Sequence, residues 1–236
     1  MFSGLVREIA KVKEYQNNIL SIESAYTPSI GDSIAVNGMC LTVIETQKWG
    51  FRLEISAHSA KKVAIENYKG MVHIEPALRA DSRLDGHFVQ GHIDYIGEIV
   101  AIAPQSNQTL LTIKPPKHAL SLIIPQGSIT IDGISLTIAS VTSENFSLTI
   151  IPHTMQNTLF HTYKVGRRVN IETDVIVRSI AHVLQKQGLV GRGFGADSRG
   201  LDSAMSDSRA KNFRASDSHA LESASWSEID DILMRY

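Results

Sequence analysis

The amino-acid sequence predicts an all-β protein: two tandem, similar six-stranded Greek-key β-barrels, followed by one carboxy-terminal α-helix and a disordered tail. Three observations lead there. The chain repeats itself, its periodic segments are short, β-branched and bounded by turn residues, and the hydrophobic period changes from strand to helix only after the second copy.

The repeat is read by placing Ser33-Ile34-Ala35-Val36-Asn37-Gly38-Met39-Cys40-Leu41-Thr42-Val43 above Ser128-Ile129-Thr130-Ile131-Asp132-Gly133-Ile134-Ser135-Leu136-Thr137-Ile138, an offset of 95 residues. In the same register Phe51 falls on Phe146, Ile55 on Ile150, His58 on His153, Ser59 on Thr154 and Tyr68 on Tyr163. After slips of a residue or two, which belong in loops, Val72-His73-Ile74-Glu75 matches Val169-Asn170-Ile171-Glu172, and Phe2-Ser3-Gly4 matches Val89-Gln90-Gly91. Two copies are too few to close the core of a solenoid, so each is expected to be a self-contained domain, residues 1–87 and 88–174.

Within the copies, residues 33–36, 40–45, 51–55 and 72–75, and then 109–114, 128–131, 135–141 and 147–151, read as strands. Asn37-Gly38 and Asp132-Gly133 are the favoured pairs for two-residue type I′ hairpins, because both central positions need φ > 0. Six or so short strands in roughly 90 residues favour a closed barrel, which leaves no sheet edge exposed. A sandwich would use the same strands.

Residues 175–186 change period: Ile176, Ile180, Val183 and Leu184 line one face of a three-turn carboxy-terminal helix, residues 175–187, and Asp174 precedes it as a cap. Two closed barrels leave such a face little to pack against, so it is covered either by self-association or by its own barrel. Residues 188–236 shift to Gly, Ser, Asp and Arg, the composition of a disordered segment. Apolar spacing returns only near Trp226–Tyr236, where a short helix or docking peptide is the alternative.

The 236 residues carry 23 basic against 24 acidic side chains, so there is no concentrated positive field for nucleic acid or an acidic membrane surface. A small neutral or weakly charged ligand suits this balance. The single cysteine, Cys40, excludes an intrachain disulfide and a Cys-based metal cluster, which fits a reducing cytoplasm. No stretch approaches the roughly 20 apolar residues that span a bilayer, and the start lacks a signal-peptide pattern, so the expectation is a cytoplasmic chain with no membrane partner.

Chemistry is sought where the copies agree in pattern and differ in side chain. Cys40 against Ser135 is such a pair, although an isolated Cys in an apolar strand is often a small core residue. Between the copies, Gly86-His87-Phe88-Val89-Gln90-Gly91-His92-Ile93-Asp94 holds two histidines, each after a Gly, that can move protons near neutrality. Their spacing fits no helical zinc pair, and a structural histidine bonded to a carbonyl is the alternative. Ser33, Thr42, Ser59, Ser135, Thr137 and Thr154 recur at paired positions as hydroxyls for a polyhydroxylated or heterocyclic ligand, or simply as β-tolerant residues.

These motifs resemble the riboflavin synthase α-chain family from Met1 to about Gln187. Met1-Phe2-Ser3-Gly4-Leu5-Val6 is similar to its MFTGIV start, Asn37-Gly38-Met39-Cys40-Leu41-Thr42-Val43 to its NGxCLTV, and residues 86–94 to its GHxxxGHxD segment. The second copy adds Ile131-Asp132-Gly133-Ile134-Ser135-Leu136-Thr137, Ile151-Pro152-His153-Thr154 and Val169-Asn170-Ile171-Glu172-Thr173-Asp174. The resemblance implies a homotrimer with sites between subunits, in which two molecules of 6,7-dimethyl-8-ribityllumazine are dismutated without metal or redox cofactor. It leaves an association with lumazine synthase open.

By the same resemblance, Ser33, Cys40 and His87 are grouped in the amino-terminal site as catalytic candidates, with His92 as a further one. Gly4, Leu5, Val6, Cys40, Leu41, Thr42, Ile55 and Ser59 are expected around the first ligand, joined by Gly91, His92 and Ile93 around the second. Ser135, Leu136, Thr137, Ile151, Pro152, His153 and Thr154 correspond to contacts in the carboxy-terminal site, and Asp174 to a polar group holding a neighbouring subunit's substrate. Four positions depart from the family pattern: Gln126 stands where a Lys is common, His58 and His153 where a Glu is, and Val63 where a Thr is. Non-catalytic lumazine- or flavin-binding relatives are the alternative function.

Overall fold

The computed structural model describes residues 1–189, and the tail from residue 190 onward, expected to be disordered, lies outside them. The first copy supplies β1 (Glu8–Gln16), β2 (Ile19–Glu23), β3 (Ser33–Val36), β4 (Met39–Gln47), β5 (Gly50–Glu54) and β6 (Gly70–Pro76). The second supplies β7 (Tyr95–Gln105), β8 (Gln108–Lys114), β9 (Ser128–Ile131), β10 (Ile134–Val141), β11 (Phe146–Ile150) and β12 (Arg168–Thr173). Each set closes into an antiparallel barrel, in the order β1-β2-β5-β4-β3-β6 and β7-β8-β11-β10-β9-β12. The order is the same once six is added to each strand number, so the repeat in sequence is a repeat in topology.

The hairpins form where the turn chemistry puts them. Asn37 and Gly38 have φ of 43° and 85°, and Asp132 and Gly133 have 45° and 84°, the paired positive angles of a type I′ turn. A third such turn, Asn17-Asn18 with φ of 51° and 64°, joins β1 to β2 without any glycine. Register shifts between Val43 and Glu45 and between Ile138 and Ser140 fall at equivalent places in β4 and β10, where an extra residue bends the strand and helps a short sheet close on itself. Inside the barrels, Leu20, Ile22, Phe51 and Leu53, and then Ile113, Ile129, Phe146 and Leu148, are fully or almost fully buried. Each such side chain stabilises the fold by about 1.5–3 kcal/mol of transfer free energy.

Among the described residues three α-helices accompany the barrels: α1 (Ala57–Ala60), α2 (Pro152–Asn157) and α3 (Val175–Lys186). Asp174 caps α3 by accepting a hydrogen bond from the Ile176 N–H at 2.7 Å, as its position in sequence predicts. The apolar face of α3 is not covered by its own barrel. Ile176, Ile180 and Val183 are about half exposed, at 53%, 55% and 51%.

Each copy closes its own barrel, and each copy's leading segment packs on the other copy's barrel. Phe2 and Val89 pair as an antiparallel bridge, with N–H to O distances of 2.7 and 3.1 Å. From that bridge the Gly4 carbonyl reaches β10, accepting the Ser135 N–H at 2.7 Å, and the Gly91 carbonyl reaches β4, accepting the Cys40 N–H at 2.8 Å. Val6 packs against the core of the second barrel and Ile93 against that of the first. A sequence pattern records which residues are alike and not which barrel they lean on, so the crossing was invisible to it.

Candidate functional site

The outward faces of β3–β4 and β9–β10, each covered by a crossing segment, carry the residues singled out from the sequence. On β4 the alternation of the strand turns Leu41 inward and Cys40 and Thr42 outward. Ser33 lies opposite Thr42, and Ala35 opposite Cys40. Gly91 sits over this face so closely that a Cβ on it would lie 2.6 Å from the Cys40 Cβ, and its φ of +80° is one that glycine adopts without strain. The matching face of the second barrel has Ser128 opposite Thr137 and Thr130 opposite Ser135. Gly4 covers it in the same way, with φ +78° and the same 2.6 Å approach to the Ser135 Cβ.

The two faces are equivalent in backbone and unequal in chemistry. In the second, His87 Nδ1 is 2.7 Å from Ser135 Oγ and His87 Nε2 is 3.4 Å from Thr130 Oγ1. Burial pushes the His87 imidazole below its ordinary pKa, against the pull of the nearby Asp174 carboxylate, so a neutral ring faces the serine. In the first face the positions corresponding to Ser135 and Thr130 are Cys40 and Ala35, which pack with Ala77, Phe2 and Val89 in a small apolar cluster. No histidine hydrogen bond to Cys40 occurs among the described residues.

Within the chain, His87 is brought to Ser135 rather than to Ser33 and Cys40. Val89 is bridged to Phe2, which brings the His87 N–H to the Ser3 carbonyl at 3.2 Å, and Ser3-Gly4 lies on the second barrel. The same crossing exchanges the expected ligand shells: Gly4, Leu5 and Val6 accompany Ser135, whereas Gly91, His92 and Ile93 accompany Cys40. Leu41 and Ile55, expected around a ligand, are core residues at 5% and 0% exposure, which leaves only their backbone groups available to one.

The remaining candidates lie in short helices and turns near these faces. Ser59 is in α1, where its N–H donates to the Ser56 cap at 3.0 Å, and Thr154 is in α2. Ile151, Pro152 and His153 begin α2 and are exposed, with Ile151 as cap and Pro152 at the first turn, where its missing N–H costs nothing. Leu136 is partly buried against the second core, and His92 is exposed. Gln126 is an exposed turn residue with φ 64°, matching Gly31 with φ 93° in the first copy. Its backbone N–H donates to the Ile138 carbonyl at 2.8 Å, a bond that requires no particular side chain.

Sequence reasoning missed the two carboxylates that hold the crossing segments. Glu75 of β6 accepts from Ser3 N and Oγ and from Gly4 N at 2.7–3.0 Å, and Glu172 of β12 accepts from Gln90, Gly91 and His92 N–H at 2.7–3.1 Å. Burial raises the pKa of both, that of Glu172 to about 7, while the N–H donors oppose the shift. A signal was present: both residues stand in the aligned segments at 72–75 and 169–172, and an acidic residue at the buried end of two matching strands calls for a partner.

Comparison with known proteins places this arrangement. The model of the lumazine binding domain matches residues 3–77 and again residues 90–174, so each match begins in a crossing segment. Riboflavin synthase from Actinobacillus pleuropneumoniae is 37% identical over 196 residues, which cover 79% of this chain and 91% of that protein. The chain belongs to the riboflavin synthase family. Within that family, riboflavin synthase from Bacillus subtilis (strain 168) is 34% identical over 195 residues, covering 79% of this chain and 91% of that one. The fold is shared with the crystal structure of LumP complexed with riboflavin, with a TM-score of 0.66 at 22% identity over 73% of this chain and 99% of that one. The family's lumazine-binding repeats are thus the two barrels described above.

Proposed function

We propose that this chain is a riboflavin synthase that brings together two molecules of 6,7-dimethyl-8-ribityllumazine and transfers a four-carbon unit between them, yielding riboflavin and 5-amino-6-(D-ribitylamino)uracil. The observation that carries the reading is the pair of equivalent faces with unequal chemistry, Cys40 on one and Ser135 with His87 on the other. A dismutation needs two similar holders, because its two substrates are the same compound, and two different sets of reactive groups, because one molecule donates and the other accepts. Holding both in one complex replaces a bimolecular encounter, an effect worth up to about 7–11 kcal/mol.

In this reading the neutral His87, in contact with Ser135, removes the acidic 7-methyl proton of one lumazine and returns it later in the sequence. The Cys40 face receives the partner molecule, whose addition step takes a nucleophile at the ring. The exposed face of α3 favours a homotrimer in which the Cys40 face of one subunit meets the Ser135 face of the next. A cytoplasmic location goes with this reading.

The test is incubation of the purified chain with 6,7-dimethyl-8-ribityllumazine alone, following substrate and riboflavin together. Riboflavin at half the molar amount of lumazine consumed supports the synthase. Saturable binding without turnover overturns it in favour of a lumazine carrier.

A further inference from the structure

We infer that Glu75 and Glu172 are positioning residues that act crosswise, each setting the reactive face of the barrel to which it does not belong. The inference rests on the synthase reading only for what the faces hold; the crossing itself is geometry.

Glu172 belongs to the second barrel, where it lies in register with Thr130, itself opposite Ser135. Its carboxylate nevertheless gathers the N–H groups of Gln90, Gly91 and His92, and Gly91 is the residue whose carbonyl holds the Cys40 N–H of the first barrel. Glu75 is the mirror case. It lies in register with Ala35, which faces Cys40 in its own barrel, yet its carboxylate holds Ser3 and Gly4, whose carbonyl at Gly4 takes the Ser135 N–H. Each carboxylate satisfies three donors that would otherwise be stranded beside an apolar core. With an acceptor gone, the segment loses its anchor at one end, and the face beneath it opens.

A purely local role predicts the opposite pattern. Removal of Glu75, two strands from Cys40 along one row of the ladder, would then disturb Cys40, and removal of Glu172 would not. The chain contains one cysteine, so its alkylation reads out the first face without ambiguity.

The experiment measures the rate of iodoacetamide modification of Cys40 by intact mass in the full-length chain, with Glu172→Ala and Glu75→Ala compared with the parent at fixed pH. The expected result is a rate about tenfold higher in Glu172→Ala, the size of one lost anchoring interaction, and a clearly smaller rise in Glu75→Ala, whose anchor at Ser3 adjoins the Phe2 that packs on Cys40. An equal rise in both variants, a rise in Glu75→Ala alone, or no change in either overturns the inference. If Glu172→Ala does not fold, Glu172→Gln and Glu75→Gln, which keep one acceptor oxygen, are expected to show the same ordering with a smaller difference. No ligand or turnover enters the measurement, so a failure of the synthase reading leaves its outcome intact.

Discussion

His73 and Asn170 do the same work from opposite sides of the barrel junction. His73 Nδ1 meets the Asp132 carbonyl at 3.1 Å while its Nε2 accepts the Leu159 N–H at 2.8 Å; Asn170 Nδ2 donates to the Asn37 carbonyl at 2.9 Å while its Oδ1 accepts the Ala64 N–H at 2.8 Å. An imidazole that donates from Nδ1 and accepts at Nε2 is neutral, and burial accordingly lowers the His73 pKa from 6.5 to about 4.

Replacing His73 by Asn is therefore expected to preserve the junction and to remove one source of acid sensitivity. Because the folded value is depressed, the stabilisation from a neutral His73 is present above pH 6.5 and is lost as pH falls toward 4, a change on the order of 3 kcal/mol. Asp132 and Glu172, raised to about 6 and about 7, shift stability the other way over overlapping ranges, but they do so in parent and variant alike. Denaturant titrations of both proteins from pH 7.5 to 4 should show His73→Asn gaining on the parent as pH falls; parallel curves would refute the neutral-imidazole assignment.

Gly91→Ala should be strongly destabilising. The added Cβ meets the Cys40 Cβ at 2.6 Å and the Phe2 ring at 2.9 Å, at a φ that L-residues rarely adopt, so a loss of about 2–4 kcal/mol is expected in equilibrium unfolding. Gly166→Ala, with φ +87° but no atom within 4 Å, carries the backbone strain alone and should cost about 1 kcal/mol.

Ser135→Ala removes the partner that His87 Nδ1 meets at 2.7 Å while leaving the Gly4 backbone bond in place. Steady-state riboflavin formation should fall by about 10²-fold with little change in thermal stability, since the effect of a proton-handling group is of that size. A rate within threefold of the parent would exclude this hydrogen bond from the proton path.

Ile180→Glu places a charge in the middle of the exposed apolar face of α3. Sedimentation is expected to show the proposed homotrimer for the parent and monomers for the variant, with barrel circular dichroism unchanged and turnover lost. A variant that stays assembled would point to a different contact surface.

How much of this was legible in the sequence depends on how local the cause is. The hairpins at Asn37-Gly38 and Asp132-Gly133, the strand at residues 128–131 and the helix at residues 175–186 follow from turn chemistry and periodicity within a few residues, and the structure has them there. β1, β2, β7 and β12 escaped as strands: β1 exposes four of its nine residues, and the turn after it is Asn17-Asn18, without glycine. Of the candidate site, the repeat alone puts Cys40 and Ser135 at equivalent strand positions, whereas the hydrogen bonds of His87 with Ser135 and of Cys40 with Gly91 join residues 48 and 51 positions apart and leave no periodic trace. Glu75 and Glu172 were aligned with one another and given no role of their own, since their partners are backbone N–H groups, which every residue has.

The reciprocal crossing also bears on what would happen to a severed chain. Residues 79–86 form an exposed loop between the Phe2–Val89 bridge and the end of β6, so a cut there would break no barrel. Each fragment would nevertheless carry the piece that the other lacks: Gly4 for the Ser135 ladder, Gly91 for the Cys40 ladder. Two such fragments produced together in one cell should find each other and reassemble, and either produced alone should present an unfilled strand position to the first complementary peptide it meets.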